Sequence, residues 1–185
     1  MNIVFGIDRD GTLIRDNNFF GKNANWEKEI EFNQEVINFF LHIKTKYNMT
    51  KIVITNQSGV ARGLFTRKRV EEIHTFINDY LNKNKIRIDN WQYCPDVDTT
   101  FAKGHPEIIF LPKYIKDRTK RKPAPDMFFN GLKELKLRLT DFDVVVILGD
   151  RSEDEQLAKN VQGKYLNVRN KSYQDLLREF KGIIS

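Results

Sequence analysis

At 185 residues, 40% of them hydrophobic and 30% charged, the chain has the size and composition of one globular domain, expected over 1–185, and neither a disordered nor a fibrous make-up. No run approaches the roughly 20 apolar residues of a membrane span, and Met1 to Asp8 lacks a basic stretch followed by a long apolar one, so a cytoplasmic address is expected. The lone Cys94 excludes an internal disulfide and any site built on several thiolates, while the net charge of +6 suits an anionic substrate or nucleic acid and equally a plain solubility role.

Asn2 to Ile7 is a short apolar run closed by an Asp-rich turn with Gly11, which reads as a buried strand ending at Asp8. After Asn33, the residues Val36, Phe40, Ile43 and Tyr47 fall at helical spacing. Lys51 to Thr55 is a second apolar strand, and a helix follows Thr66 with Val70, Ile73, Ile77, Tyr80 and Leu81 on one face. Pro95 to Arg121 shows no sustained periodicity and carries Gly104, Pro106 and Pro112, so it reads as a long surface excursion of the kind that often carries function. A helix starting at Pro125 is expected to bury Phe128, Leu132 and Leu135. Asp143 to Leu148 repeats the strand pattern. A helix then starts at Ser152 with Glu155 closing a capping box, and ends near Gly163. The strand Tyr165 to Val168 and a helix from Ser172 to Phe180 complete the chain. Apolar strands alternating with amphipathic helices predict an α/β fold, a Rossmann-like three-layer sandwich around a mainly parallel central sheet. Neither gap between motifs leaves room for a separate cap domain, so loops should shape the substrate mouth.

Parallel sheets bind ligands at the carboxyl ends of their strands, and the chemistry-bearing residues cluster in such places. Asp8 and Asp10 follow the first strand, two carboxylates that can divide nucleophilic attack and proton transfer. Taken alone, Asp-x-Asp-Gly also fits an ordinary Asx turn. Thr55 and Asn56, followed by Gln57, Ser58 and Gly59, bring a hydroxyl and backbone N–H groups to the second strand's end, suited to phosphoryl oxygens. Lys122 stands before Pro123, where a helix N-terminus also favours an anion. Asp150 ends the later strand and adds a carboxylate where a cation is needed to offset the charge of Asp8 against a phosphate.

These segments, DRDGT, TN, RKPAPDM and GDRSED in order, resemble the four motifs of the haloacid dehalogenase-like hydrolase superfamily. TNQSGVARGLFT from Thr55 to Thr66 and YCPDVD from Tyr93 to Asp98 look like its branch of heptose 1,7-bisphosphate phosphatases and histidinol phosphatases. The resemblance implies a magnesium-dependent phosphatase working through an aspartyl-phosphate. Carried over, Asp8 is the nucleophile, Asp10 the acid/base, and Asp8, Asp150 and the backbone carbonyl of Asp10 the Mg2+ ligands, with Lys122 and Thr55 on the transferring phosphoryl group. Arg62 in the branch-like ARG segment and Arg121 beside Lys122 become candidate substrate contacts. Many members of the heptose branch hold zinc on several Cys and a His; here Cys94 and His105 alone are too few. Asp154 is either a support for the metal or an ordinary acidic residue of a first helical turn. His42 and His74 read as surface or packing residues.

The expected partner is a small phosphorylated metabolite, foremost a sugar bisphosphate, handled by a monomer or weak oligomer. A histidinol-phosphate phosphatase is an alternative within the branch. A polynucleotide 3′-phosphatase has the same catalytic motifs, and the basic balance with Trp26 and Trp91 would fit single-stranded nucleic acid; the YCPDVD match and the lack of a basic run weigh against it. A non-catalytic phosphate-binding scaffold would keep the fold and lose the intact Asp8, Asp10, Lys122 and Asp150.

Overall fold

Five strands hydrogen-bond in parallel: β1 (Asn2–Ile7), β2 (Asn48–Asn56), β3 (Asn90–Cys94), β6 (Val144–Gly149) and β7 (Lys164–Asn167), in the spatial order β3-β2-β1-β6-β7. These are seen in a computed structural model, which describes residues 1–16 and 19–185. Successive side chains of a strand point to opposite faces, and the apolar positions follow that period. Ile3, Phe5 and Ile7 of β1, with Val146 and Leu148 of β6, join one apolar layer. Val4, Ile52, Ile54 and Ile147 join the other. Both faces are therefore buried, as parallel strands require.

Helices α1 (Gln34–Ile43), α2 (Arg67–Lys83) and α6 (Tyr173–Ile184) cover the first layer with Phe39, Phe40, Ile73, Ile77, Leu176 and Phe180. Helices α4 (Asp126–Glu134) and α5 (Ser152–Asn160) cover the second with Phe128, Leu132, Leu157 and Ala158. The expected three-layer α/β architecture is what the chain adopts. The side chains of Asn33 and Thr66 accept from backbone N–H groups in the first turns of α1 and α2, satisfying donors that a helix start leaves open. Gly6 lies in β1 where a Cβ would come within 2.6 Å of Ile147 Cδ1 and 3.3 Å of Phe128 Cδ2 of α4, so a side chain there would displace Ile147 and crowd α4.

Details depart from the sequence reading. Tyr47 lies beyond α1, and packs its ring 5.6 Å from Phe180. The cap of α5 sits one residue earlier than expected: Asp154, not Glu155, closes back onto a backbone N–H, that of Arg151. Strand β3 was not foreseen, because it is a sheet edge whose residues are mostly half-buried and so show neither alternation nor an apolar run. The Pro95–Arg121 excursion is also more ordered than its composition suggested. It holds β4 (Val97–Asp98), α3 (Thr99–Gly104) and β5 (Ile115–Lys116), with β4 and β5 paired in parallel. Val97 and Phe110 pack with Ala61 in a small cluster, and Leu111 donates from its backbone N–H to Ala61 O at 2.7 Å. This unit packs against Ala61, beside the cleft described next, and among the described residues no larger cap is inserted. Also among them, no helix is long and apolar enough to cross a membrane.

Candidate active site

Strand order reverses beside β1, and ligands of such sheets settle at the carboxyl ends where that happens. Asp8 leaves β1 with its N–H bonded to Leu148 O of β6 at 2.9 Å. The following turn is closed by bonds from Leu13 N and Ile14 N to Arg9 O. Gly11 makes this possible with a φ of 90°, and a Cβ there would meet the Asp150 carboxyl at 2.5 Å; an L side chain would be both strained and obstructed. The cleft, about 210 Å3, is lined by Asp8, Arg9, Asp10, Thr55, Gln57 and Lys122, with Arg62, Arg121 and Arg151 among its other cations.

Lys122 is the electrostatic centre. Its Nζ donates to Asp8 Oδ1 at 2.5 Å and to Asp154 Oδ1 at 2.7 Å, and all three side chains are buried. Burial pushes the Asp8 carboxyl up to about 7; Lys122 opposes this, while Asp154 and Asp10 add to it. Burial penalises the Lys122 ammonium as well, but Asp8 and Asp154 outweigh it and hold its pKa above the ordinary lysine value. One cation shared by two carboxylates leaves a negative charge uncompensated. Burial also raises Asp150, with Arg151 opposing.

Oxygens of Asp8, Asp150 and Asp154 lie within 4.8 Å of one another, the group of carboxylates that fits a metal ion among the described residues. Asp150 Oδ1 is buried and accepts no hydrogen bond among those residues. Hard oxygen donors, an excess of negative charge and an acceptor without a donor are what a small divalent cation such as magnesium calls for. The residues therefore fit the metal that the motifs imply. Cys94, by contrast, is buried with its Sγ directed to Asp96 O, and His105 bonds Phe101 O.

Asp10 is held differently. Arg9 Nε lies 3.2 and 3.1 Å from its two oxygens and Nη2 3.0 Å from Oδ1, while Gln57 Nε2 donates to Oδ2 at 2.7 Å. The Thr55 hydroxyl donates to the same Oδ2 at 3.3 Å and accepts from Gln57 at 2.7 Å. Thr55 thus faces the carboxylate rather than standing free for a phosphate. The Asn56 amide is likewise engaged: it accepts from Lys122 N at 2.8 Å and donates to Lys122 O at 3.2 Å. It latches the Lys122 loop to the end of β2.

Arg62 and Arg121 line the same cleft. The Arg62 guanidinium sits over Phe19 at 4.6 Å and near Phe110 at 5.6 Å, and that of Arg121 over Phe101 at 4.9 Å, 4.0 Å from Glu153. Arg62 Nε and Arg121 Nη1 are buried and donate to nothing among the described residues. Arg151 pairs with Asp16 across the cleft. Sequence reasoning missed the tasks of Arg9, Gln57 and Arg151 and left Asp154 open. Gln57 carried a signal in its place two residues beyond Thr55 at a strand end.

No family model matches the chain. It is 30% identical over 162 residues to the D-glycero-beta-D-manno-heptose-1,7-bisphosphate 7-phosphatase of Escherichia coli K12, covering 86% of this chain and 76% of the relative. The chain belongs to the haloacid dehalogenase-like hydrolase superfamily. Its curated relatives are phosphatases, and its class is that of phosphoric monoester hydrolases. The superfamily fold recurs in a had-like phosphatase from Mesorhizobium loti, with a TM-score of 0.75 and 23% identity over 100% of this chain and 86% of that one. It recurs again in the D,D-heptose 1,7-bisphosphate phosphatase of B. bronchiseptica complexed with magnesium and phosphate, with a TM-score of 0.67 and 22% identity over 97% and 87% of the two chains.

Proposed function

We propose that this superfamily member hydrolyses a phosphate monoester of a small metabolite, a sugar bisphosphate of the D-glycero-D-manno-heptose 1,7-bisphosphate type, through an aspartyl-phosphate on Asp8. One observation carries the reading. Asp8, Asp10, Lys122, Asp150 and Asp154 come from three separate segments and converge at the carboxyl ends of β1 and β6.

Asp8 attacks phosphorus in line with the departing oxygen, and Asp10 protonates that oxygen as the ester bond breaks. Asp10 then takes a proton from the water that attacks the phosphorylated Asp8. Lys122 supplies positive charge beside the equatorial oxygens, the contribution that dominates phosphoryl transfer. Thr55 supports this chemistry through its bond to Asp10, and Asn56 through the backbone of Lys122. Magnesium would be held by Asp8, Asp150 and the Asp10 carbonyl, with Asp154 behind them, and when bound would offset the charge of the carboxylates against that of the phosphate. The B. bronchiseptica enzyme, complexed with magnesium and phosphate, supports the choice of ion.

Arg62 and Arg121, seated on aromatic rings with donors to spare, are placed to meet a second anionic group. The heptose bisphosphatases among the curated relatives and a cleft smaller than most ligand sites support a compact substrate such as a sugar bisphosphate. Phosphate release should be measured for sugar phosphates and bisphosphates, histidinol phosphate and 3′-phosphorylated oligonucleotides, at low and physiological salt. The heptose bisphosphate is expected to give the highest kcat/KM with a shallow salt dependence. Preference for the oligonucleotide with a steep salt slope, the mark of many phosphate contacts, would overturn the substrate assignment.

A further inference from the structure

Arg9 stands between the two aspartates of the first motif, yet its side chain is 1% exposed. A buried arginine ordinarily ties distant elements together, because its desolvation must be offset by several partners. Here every side-chain hydrogen bond that Arg9 makes among the described residues goes to the next residue in the chain, Asp10. The Arg9 guanidinium therefore ties down no other element by a hydrogen bond among the described residues. It fixes the orientation of one carboxylate, since a planar fork touching both oxygens removes the freedom of the Asp10 side chain to turn. Gln57 and Thr55 act on Oδ2 alone, which leaves Oδ1 to Arg9. The backbone of Arg9 is itself anchored, its carbonyl accepting from Leu13 N at 3.0 Å and Ile14 N at 3.1 Å.

We infer that Arg9 is a positioning residue for proton transfer, aligning Asp10 with the leaving-group oxygen and then with the attacking water. This rests on the phosphatase reading above. In the first half-reaction the bond from Asp8 to phosphorus forms, the ester P–O bond breaks, and the Asp10 proton passes to the departing oxygen. In the second, a water oxygen bonds to phosphorus, its proton returns to Asp10, and the bond to Asp8 breaks. An alkyl ester such as the heptose bisphosphate needs the first proton, because an alkoxide is a poor leaving group. p-Nitrophenyl phosphate does not, because its phenolate departs unaided. Misaligning Asp10 must therefore penalise the two esters unequally, which mere loosening of the fold would not do.

The test compares wild type, Arg9→Met, Arg9→Lys and Asp8→Asn on both esters. Arg9→Met is expected to lose on the order of a hundredfold in kcat/KM for the heptose bisphosphate, with a much smaller loss for the aryl ester. It should also show a burst of p-nitrophenol, as the second half-reaction, which still needs Asp10, becomes limiting. Arg9→Lys keeps the charge without the fork and should fall between; if Arg9→Met does not fold by circular dichroism, the same ratio in Arg9→Lys decides. Equal losses on the two esters, or none, would overturn the role of Arg9 while leaving the phosphatase intact. A wild type inert toward both esters, or an Asp8→Asn as active as wild type, removes the phosphatase reading itself.

Discussion

Lys122 sits between two buried carboxylates, and each of the three residues depends on the other two. Removing the cation leaves Asp8 and Asp154 facing each other, both buried from water. Lys122→Met is therefore expected to lower stability by about 3 to 5 kcal/mol and to reduce phosphate release sharply, read from urea unfolding and a phosphate assay; a stability loss below about 1 kcal/mol would show that the triad is not held as the geometry indicates. Asp8→Asn keeps the shape of the side chain and loses its nucleophilic charge. Phosphate release should fall to background while the cooperative unfolding transition persists. Turnover near the wild-type rate would rule out the covalent route.

At the scale of elements, the β4–α3–β5 excursion contributes aromatic seats rather than catalytic groups. Phe101 and Phe110 lie under the guanidinium groups of Arg121 and Arg62, each contact worth about 0.5 to 2 kcal/mol. Phe101→Ala and Phe110→Ala are expected to raise KM for the bisphosphate several-fold and to change kcat and p-nitrophenyl phosphate turnover little, since a substrate without a second anion does not use those arginines. A fall in kcat on both substrates would place the excursion in the chemical step instead. The excursion was read from sequence as irregular because its strands are two residues each, too short for any periodicity to show. Its regularity comes from packing on Ala61 and from the parallel pairing of segments far apart in the chain.

Over the whole molecule, two linkages should be measurable. His74 is buried against Trp91, their rings 4.7 Å apart, and burial, with Arg9 adding to it, holds its pKa well below the usual 6.5. The unfolded chain then binds a proton near pH 6.5 that the fold does not, so stability is full above that pH and declines as pH falls toward the depressed folded value. His74→Phe should flatten the decline between pH 7 and 5 in thermal melts; an unchanged slope would assign it to other groups. Magnesium at a hundred times its Kd should stabilise the fold by about 2.7 kcal/mol, a rise of roughly 5 to 10 °C in Tm for a chain of this size. Asp150→Ala should lose most of that rise, and a full rise in the variant would move the ion elsewhere. The sequence by itself determined the alternation of strands and helices, the strand-end positions of Asp8, Thr55 and Asp150 and the place of Lys122 before a helix, because those are local patterns of burial, turn chemistry and spacing. Only the tertiary structure decided which side chain meets which: Lys122 with both Asp8 and Asp154, Asn56 with the Lys122 backbone, Thr55 and Gln57 with Asp10, and Arg9 turned inward to grip its neighbour. Those pairings join residues up to 114 apart in the chain, and they are set by how β1, β2, β6 and α4 pack together, which no local pattern encodes.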